Sequence, residues 1–419
     1  MSSIIRKVLL IVLIFVMFVF AGIKVGPVNL RNILSVFLLF YAVFNYRYIS
    51  IDLSIKLYFL YLCVLILCNL INGEISHDSF VRYMLGDHLS SIAVIFSLSC
   101  LLRKKSDYKV LNYSLFILVI LNGIITILQF LNEPIGWAIA AQLSSANSEV
   151  LENSVEYMSV HGVDNSLNFA LSAGLIGYVV ANGYFNASFL PIFTQNILDK
   201  KTKRKNQILS FFLLLFSFVV IFAIQQRMAM ICFALYVLFI VKDRLPKLGI
   251  CLIIILIILF FSYYSDLNSD SVGRFSLDRE NNDRLNLFHS FYVFLNSGNI
   301  LFGGNDAYLA YAKGQHNTFL DVWVRGGLIS LLAFIPFFYH IFKETFFNIF
   351  KTKVQSIWVV SASISCLFFL LYSQTHSVGL QSGSVFFWIP YMIIVSVKRK
   401  NKRPPKVLIL KQKNKSINE

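Results

Sequence analysis

The chain has 419 residues, 57% of them apolar, with a mean hydropathy of +0.69 and a net charge of +16. So few polar side chains cannot cover a water-soluble globule, which excludes an ordinary soluble enzyme or binding module and leaves a polytopic membrane protein. The positive charge follows from membrane topology, so nucleic acid is not an expected partner.

A helix crosses the hydrocarbon core with about 20 mostly apolar residues. Twelve such stretches can be marked, roughly 8–23, 29–45, 54–72, 84–102, 110–131, 166–184, 207–225, 228–241, 248–264, 319–342, 356–372 and 383–397. The expected fold is an all-α polytopic integral membrane protein of about 12 transmembrane helices. Helices 1–9 with short loops fill 1–264, and a large outward loop with an amphipathic helix fills 265–318. Helices 10–12 fill 319–397, and a basic, disordered cytoplasmic tail fills 398–419. Val19-Phe20-Ala21 is a weak cleavage-like signal, but eleven further spans favour a retained first helix.

Lys and Arg are held on the cytoplasmic side during insertion. With both termini inside, 28 of the 37 basic residues are cytoplasmic and nine are outward: Lys24, Arg31, Arg82, Arg227, Arg274, Arg279, Arg284, Lys313 and Arg325. The opposite orientation reverses that ratio. The basic tail is then expected near anionic membrane lipid. The cysteines Cys63, Cys68, Cys100, Cys232, Cys251 and Cys366 lie in or at the ends of apolar spans with no CxxC pair, and read as packing residues.

Taken in order, the outward turn Lys24 to Asn29 carries no acid. Metal-dependent lipid-linked glycosyltransferases commonly hold a divalent ion with a carboxylate pair in their first outward loop, so neither a metal nor a cofactor is expected here. The next outward loop, Gly73 to Asp78, has suitable residue types without compact ligand spacing. The third, Asn132 to Asn165, has no Lys or Arg, and 137–158 reads as an interfacial helix anchored by Trp137. A lid or spacer is the role that fits it, with sugar binding as the sharper alternative.

Arg227 sits in a tight outward hairpin between two apolar spans. A charge so close to hydrocarbon costs several kcal/mol unless paired or wetted, so it either snorkels to headgroup phosphate or serves as an anion ligand. The large loop then supplies Arg274, Arg279 and Arg284. Asn281-Asn282-Asp283 resembles an N-cap, and Arg284 to Leu295 reads as a helix with Leu285, Phe288, Tyr292 and Leu295 on the face turned to the membrane surface or the bundle. Arg284 in its first turn would stand beside the positive helix end, a place suited to phosphate. Gly303-Gly304 follow as a turn permitting positive φ or close approach of a ligand.

His316 opens the apolar run from Phe319 to Phe342. A helix N-terminus disfavours imidazolium, which suits a neutral, proton-accepting histidine. Asn317 and Thr318 can cap that helix or hold the imidazole, and Gly326-Gly327 let a neighbouring helix or a lipid tail approach. Among the remaining outward histidines, His376 is the reserve candidate, ahead of His77, His161 and His289. No internal repeat is visible, and no span shows an acid or base near its middle, which weighs against a transporter.

At Arg227, at Arg284 with Gly303-Gly304, and at His316-Asn317 with Leu320 and Gly327, the chain resembles the bacterial O-antigen polymerase and O-antigen ligase superfamily. The likeness covers roughly residues 205–335; the first half matches only as a run of spans. It implies a metal-independent, GT-C-like glycosyltransferase in the bacterial cytoplasmic (inner) membrane, with its active site facing the periplasm and both termini cytoplasmic. Donor and acceptor would be undecaprenyl-diphosphate-linked oligosaccharides, joined with inversion. The resemblance implies that Arg227 and Arg284 engage the diphosphate and that His316 is the general base. Arg274, Arg279, Asn317, Gly303, Gly304 and His376 are accessory candidates. The diphosphate is already a good leaving group, so the enzyme must neutralise its developing charge and deprotonate the acceptor hydroxyl. Ligases resemble a pattern with Thr three residues after the downstream glycine and Leu four residues after the arginine; here those places hold Ser330, Ile231 and Phe288. Polymerase is therefore preferred, with ligase onto lipid A core or protein as the alternative and a lipid-linked glycan flippase as the alternative of another class. A chain-length regulator and a flippase are candidate partners.

Overall fold

Apolar runs divided by short polar turns satisfy their backbone hydrogen bonds internally as helices, the arrangement lipid demands. The computed structural model describes residues 3–20, 23–25, 28–75, 78–131, 133–143, 172, 174–176, 179–199, 202–224, 226–242, 289–297, 299–304, 307, 317–350, 356–374 and 385–402. Its helices are α1 (Ser3–Phe18), α2 (Leu30–Phe44), α3 (Leu53–Ile71), α4 (Asp78–Tyr83), α5 (Leu89–Leu101), α6 (Lys105–Phe130) and α7 (Pro134–Leu143). They continue with α8 (Val179–Phe193), α9 (Arg204–Ile224), α10 (Arg227–Lys242), α11 (Thr318–Phe350), α12 (Ile357–Tyr372) and α13 (Val385–Lys402). Strands Lys24–Val25 and Val28–Asn29 form a small hairpin between α1 and α2.

The chain is an all-α membrane-embedded protein. Four helices, α3, α6, α9 and α11, are long and apolar enough to cross a bilayer, and shorter apolar helices pack among them. Nineteen residues of α3 rise about 28 Å, close to the thickness of the hydrocarbon core. Large apolar side chains such as Phe40, Phe44, Phe212 and Leu332 are exposed on outer faces, as lipid contact requires. The interior is aromatic: Tyr58, Tyr61, Tyr184, Phe185, Phe189, Phe334, Tyr372, Trp388 and Tyr391 are fully buried. The longest contact runs between α3 and α11, while α12 packs on α8 and α13, α2 on α5 and α1 on α6.

Hydrogen bonds and ion pairs sort the helix ends into two sets. At one end Arg6 pairs with Asp107, Arg103 donates to Asn45, and Lys398 pairs with Glu344. At the other, Thr318 meets Ser373, Tyr372 meets Gln226, and Asn72 meets Gly303. These are the sets that the charge count assigns to the cytoplasm and to the outside.

Three expectations need correction. The span expected at 166–184 is instead a helix at Val179–Phe193, preceded by a 3-10 turn at Gly174–Ile176. Asn182, Asn186 and Ser188 lower the hydropathy of the true helix, but they are buried, and Asn182 bonds Asn122 and Thr126 of α6. The described part of the amphipathic helix, 289–295, keeps Leu295 on the packed face as expected and adds Phe291 and Phe294 to it. Phe291, Phe294 and Leu295 pack with Trp323 and Val324, whereas Tyr292 is 64% exposed. Finally, the run read as one span at 319–342 extends over Thr318–Phe350 and is broken at Gly327, where φ is 69° and ψ −177°. The span expected at 248–264, most of the third outward loop and the tail beyond 402 lie outside the described residues.

Candidate functional site

Breaking α11 orphans the carbonyls ending its first part and the amides opening its second, which is costly inside a bundle. The turn Ile300 to Gly304 supplies the missing partners. Gly304 N donates to Val324 O at 2.9 Å, Leu328 N to Ile300 O at 2.8 Å, and Ile329 N to Leu301 O at 3.3 Å. Trp323 Nε1 donates to Ile300 O at 3.2 Å, and Asn72 Nδ2 to Gly303 O at 2.6 Å. The backbones meet so closely that a Cβ on Gly303 would strike Gly327 N and Val324 O, and one on Gly327 would strike Leu301. A Cβ on Gly304 would meet the Glu74 carboxylate. All three glycines have positive φ. Gly303 and Gly304 thus take the positive φ expected of them, the close approach at Gly327 is made by the protein's own turn, and at Gly326 a neighbouring helix approaches as expected, through Leu65 of α3.

The first part of α11 begins at Asn317. Its Oδ1 accepts from Phe319 N at 2.9 Å and Leu320 N at 3.2 Å, an N-cap of the expected kind. Its Nδ2 donates to Gln374 O at 3.2 Å, and Thr318 N donates to Ser373 O at 2.9 Å, so the helix start is tied to the end of α12. His316 immediately precedes Asn317 in sequence and His376 follows Gln374 by two residues. Both candidate histidines therefore adjoin, along the chain, residues joined by this bond. His316, His376, Arg274, Arg279 and Arg284 themselves lie outside the described residues. Arg227 opens α10 directly after Gln226, which accepts from Tyr372 Oη at 3.4 Å; nothing is described of the Arg227 side chain.

Sequence reasoning missed a polar group lining the same part of α11. Asp321 is 1% exposed, and Arg325, one turn on, lays its guanidinium 4.2 Å over the Tyr83 ring. Asn69 Nδ2 bonds Arg325 O at 3.2 Å. His88 is fully buried, with its ring 4.7 Å from that of Tyr83 and Nδ1 2.8 Å from Tyr58 Oη. Its Nε2 has no partner among the described residues. It closes a π-turn at Met84–His88, a rare conformation often found at functional positions. His88 lies beside Tyr58 and Tyr61 of α3 and stands at the start of its own span, directly ahead of α5. The spacing of Asp321 and Arg325, i and i+4 just after His316, was the signal available.

The described spans carry three interruptions: the π-turn, the break at Gly327 and the turn at Gly174, whose N–H bonds Gln129 at 2.8 Å. Non-helical backbone at membrane depth is tolerated where protein or a water-filled cavity satisfies it. No family model and no curated protein matches the chain.

Proposed function

We propose that the chain is a surface-polysaccharide polymerase of the bacterial cytoplasmic membrane. It joins undecaprenyl-diphosphate-linked oligosaccharide repeats, as in O-antigen synthesis, by inverting glycosyl transfer at the periplasmic face. Arg227 and Arg284 bind the donor diphosphate, and His316 takes the proton from the acceptor hydroxyl. The observation that carries this reading is the start of α11: a capped helix N-terminus tied to α12 and broken two residues beyond Arg325, on the side that the charge count sets opposite the basic clusters. A helix start fixed on two neighbours suits a general base, because it removes the motion that would misplace the imidazole.

The test is the glycan profile of a deletion strain complemented with the wild-type chain. A polymerase leaves single repeats where polymer stood. A bare core with accumulated lipid-linked polymer would overturn the reading in favour of a ligase, and loss of outward-facing lipid-linked repeats would favour a flippase. The lack of a visible internal repeat counts against a transporter.

A further inference from the structure

At the basic end of the bundle, three helices meet around one phenol. Tyr391 Oη of α13 lies 2.6 Å from Asp52 Oδ2, 2.6 Å from Ser54 Oγ and 2.6 Å from Glu344 Oε2. Asp52 caps α3, Ser54 is in its first turn, and Glu344 belongs to α11. Around this centre, Lys398 Nζ bonds Glu344 Oε1 at 2.6 Å, Ile55 N donates to Asp52 Oδ1 at 3.0 Å, and His340 Nδ1 lies 2.7 Å from Ser54 Oγ.

A phenol has one hydrogen to donate and lone pairs for two bonds to accept. If both carboxyls were ionised, one oxygen–oxygen contact at 2.6 Å would hold no hydrogen and would set a carboxylate against another oxygen's lone pairs. One carboxyl must therefore carry a proton. Glu344 has a cation on one oxygen and the phenol on the other, the setting of an ionised acid. Asp52 has a backbone N–H on Oδ1, no cation at bonding distance among the described residues, and Oδ2 directed at the phenol. With Asp52 as that acid the bonds close: Asp52 Oδ2–H and Ser54 Oγ–H donate to Tyr391, Tyr391 donates to Glu344, and the Nδ1–H tautomer of His340 donates to Ser54.

We infer that Asp52 holds a proton in the folded protein and that this proton clamps α3, α11 and α13 together at their basic ends. Losing it to water leaves a carboxylate facing the phenol and Glu344. The charged or titratable groups around it are Glu344 and His340 of α11 and Tyr391 of α13, with Lys398 of α13 bonded to Glu344 and Lys56 following four positions along α3. Burial, as the largest cause, raises the Asp52 carboxyl above the ordinary carboxylate range. With the folded pKa above the unfolded one, the stabilisation is fully present below the unfolded value and is lost as pH rises through the folded value. The clamp fixes the inner ends of α3 and α11, whose outer ends hold the Ile300–Gly304 turn.

The test uses the full chain in lipid nanodiscs, by infrared difference spectroscopy between acidic and alkaline pH and by thermal unfolding against pH. Wild type is expected to show the carbonyl band of a buried protonated carboxylic acid and a Tm that falls as pH rises. Asp52→Asn keeps the N-cap and replaces O–H by N–H, so it should lose the band and flatten the Tm profile. Tyr391→Phe removes the acceptor of the proton and should shift the band to higher frequency. A band that survives in Asp52→Asn, or one that stays in place in Tyr391→Phe, would overturn the assignment. So would an Asp52→Asn profile as steep as wild type. Neither readout depends on glycosyl transfer, so the clamp and the polymerase reading stand or fall separately.

Discussion

At the scale of single residues, the decisive substitution is at His316. If it is the base, His316→Ala should lower turnover by about 10²–10⁴ while donor affinity is kept, because the arginines still hold the diphosphate. Asn at 316 can cap and hydrogen-bond but cannot accept a proton near neutral pH, so normal polymerisation by that variant would move attention to His376. Asn317→Ala serves as the contrast. Losing its two accepted bonds should cost about 0.5–2 kcal/mol, read as a lower Tm and lower abundance with turnover per folded molecule retained. Arg227→Lys and Arg284→Lys should each depress polymer formation strongly at normal protein level, since lysine lacks the guanidinium fork that grips phosphate. Full activity in both would reduce them to lipid anchors. The cap at Asn317 was legible because an Asn ahead of an apolar run has few other uses. His88 was not, because an isolated histidine in an apolar run does not reveal whether it turns to lipid or, as here, to Tyr58.

At the scale of elements, hydropathy located the spans and failed wherever a helix departs from uniform apolar character. The window that placed a span at 166–184 was drawn away from Asn182 and Asn186; Asn182 is met by Asn122 and Thr126, and Asn186 donates to Asn182, tertiary and local bonds that no hydropathy average contains. The break in α11 was invisible for a related reason. Glycine is neutral to hydropathy, and the groups that close the gap at Gly327 come from residues 300–304, more than twenty positions upstream. Gly327→Ala should therefore be disruptive: the backbone lies in a region essentially reserved for glycine, at about 1–3 kcal/mol, and the new Cβ would meet the Leu301 backbone. The expected outcome is a lower Tm together with lost polymer, since the turn and the capped helix start are displaced together. A Tm equal to wild type would show that the break is not a fixed feature of the fold.

At the scale of the whole molecule, every functional assignment depends on which end of the bundle faces outward. The two sets of helix ends are grouped by contacts such as Arg6 with Asp107 at one end and Thr318 with Ser373 at the other, but grouping does not orient them. Orientation rests on the division of basic residues, 28 against nine, and on the energy that keeps Lys and Arg from crossing during insertion. Alkaline phosphatase folds to its active form only outside the cytoplasm, so it reads the answer directly. Fused after residue 300 it should be active, and fused after residue 205 inactive. The second position lies in the basic stretch Lys200 to Lys205 that leads into the first residues of α9, where an outward location would put six consecutive positions carrying five cations on the translocated side. The reverse pattern of activity would place Arg227, Arg284 and His316 in the cytoplasm, away from any outward-facing lipid-linked glycan, and the polymerase reading would fall with it. The Asp52 clamp would survive such a reversal, since it follows from hydrogen bonds among α3, α11 and α13, but its proton would then exchange with the periplasm.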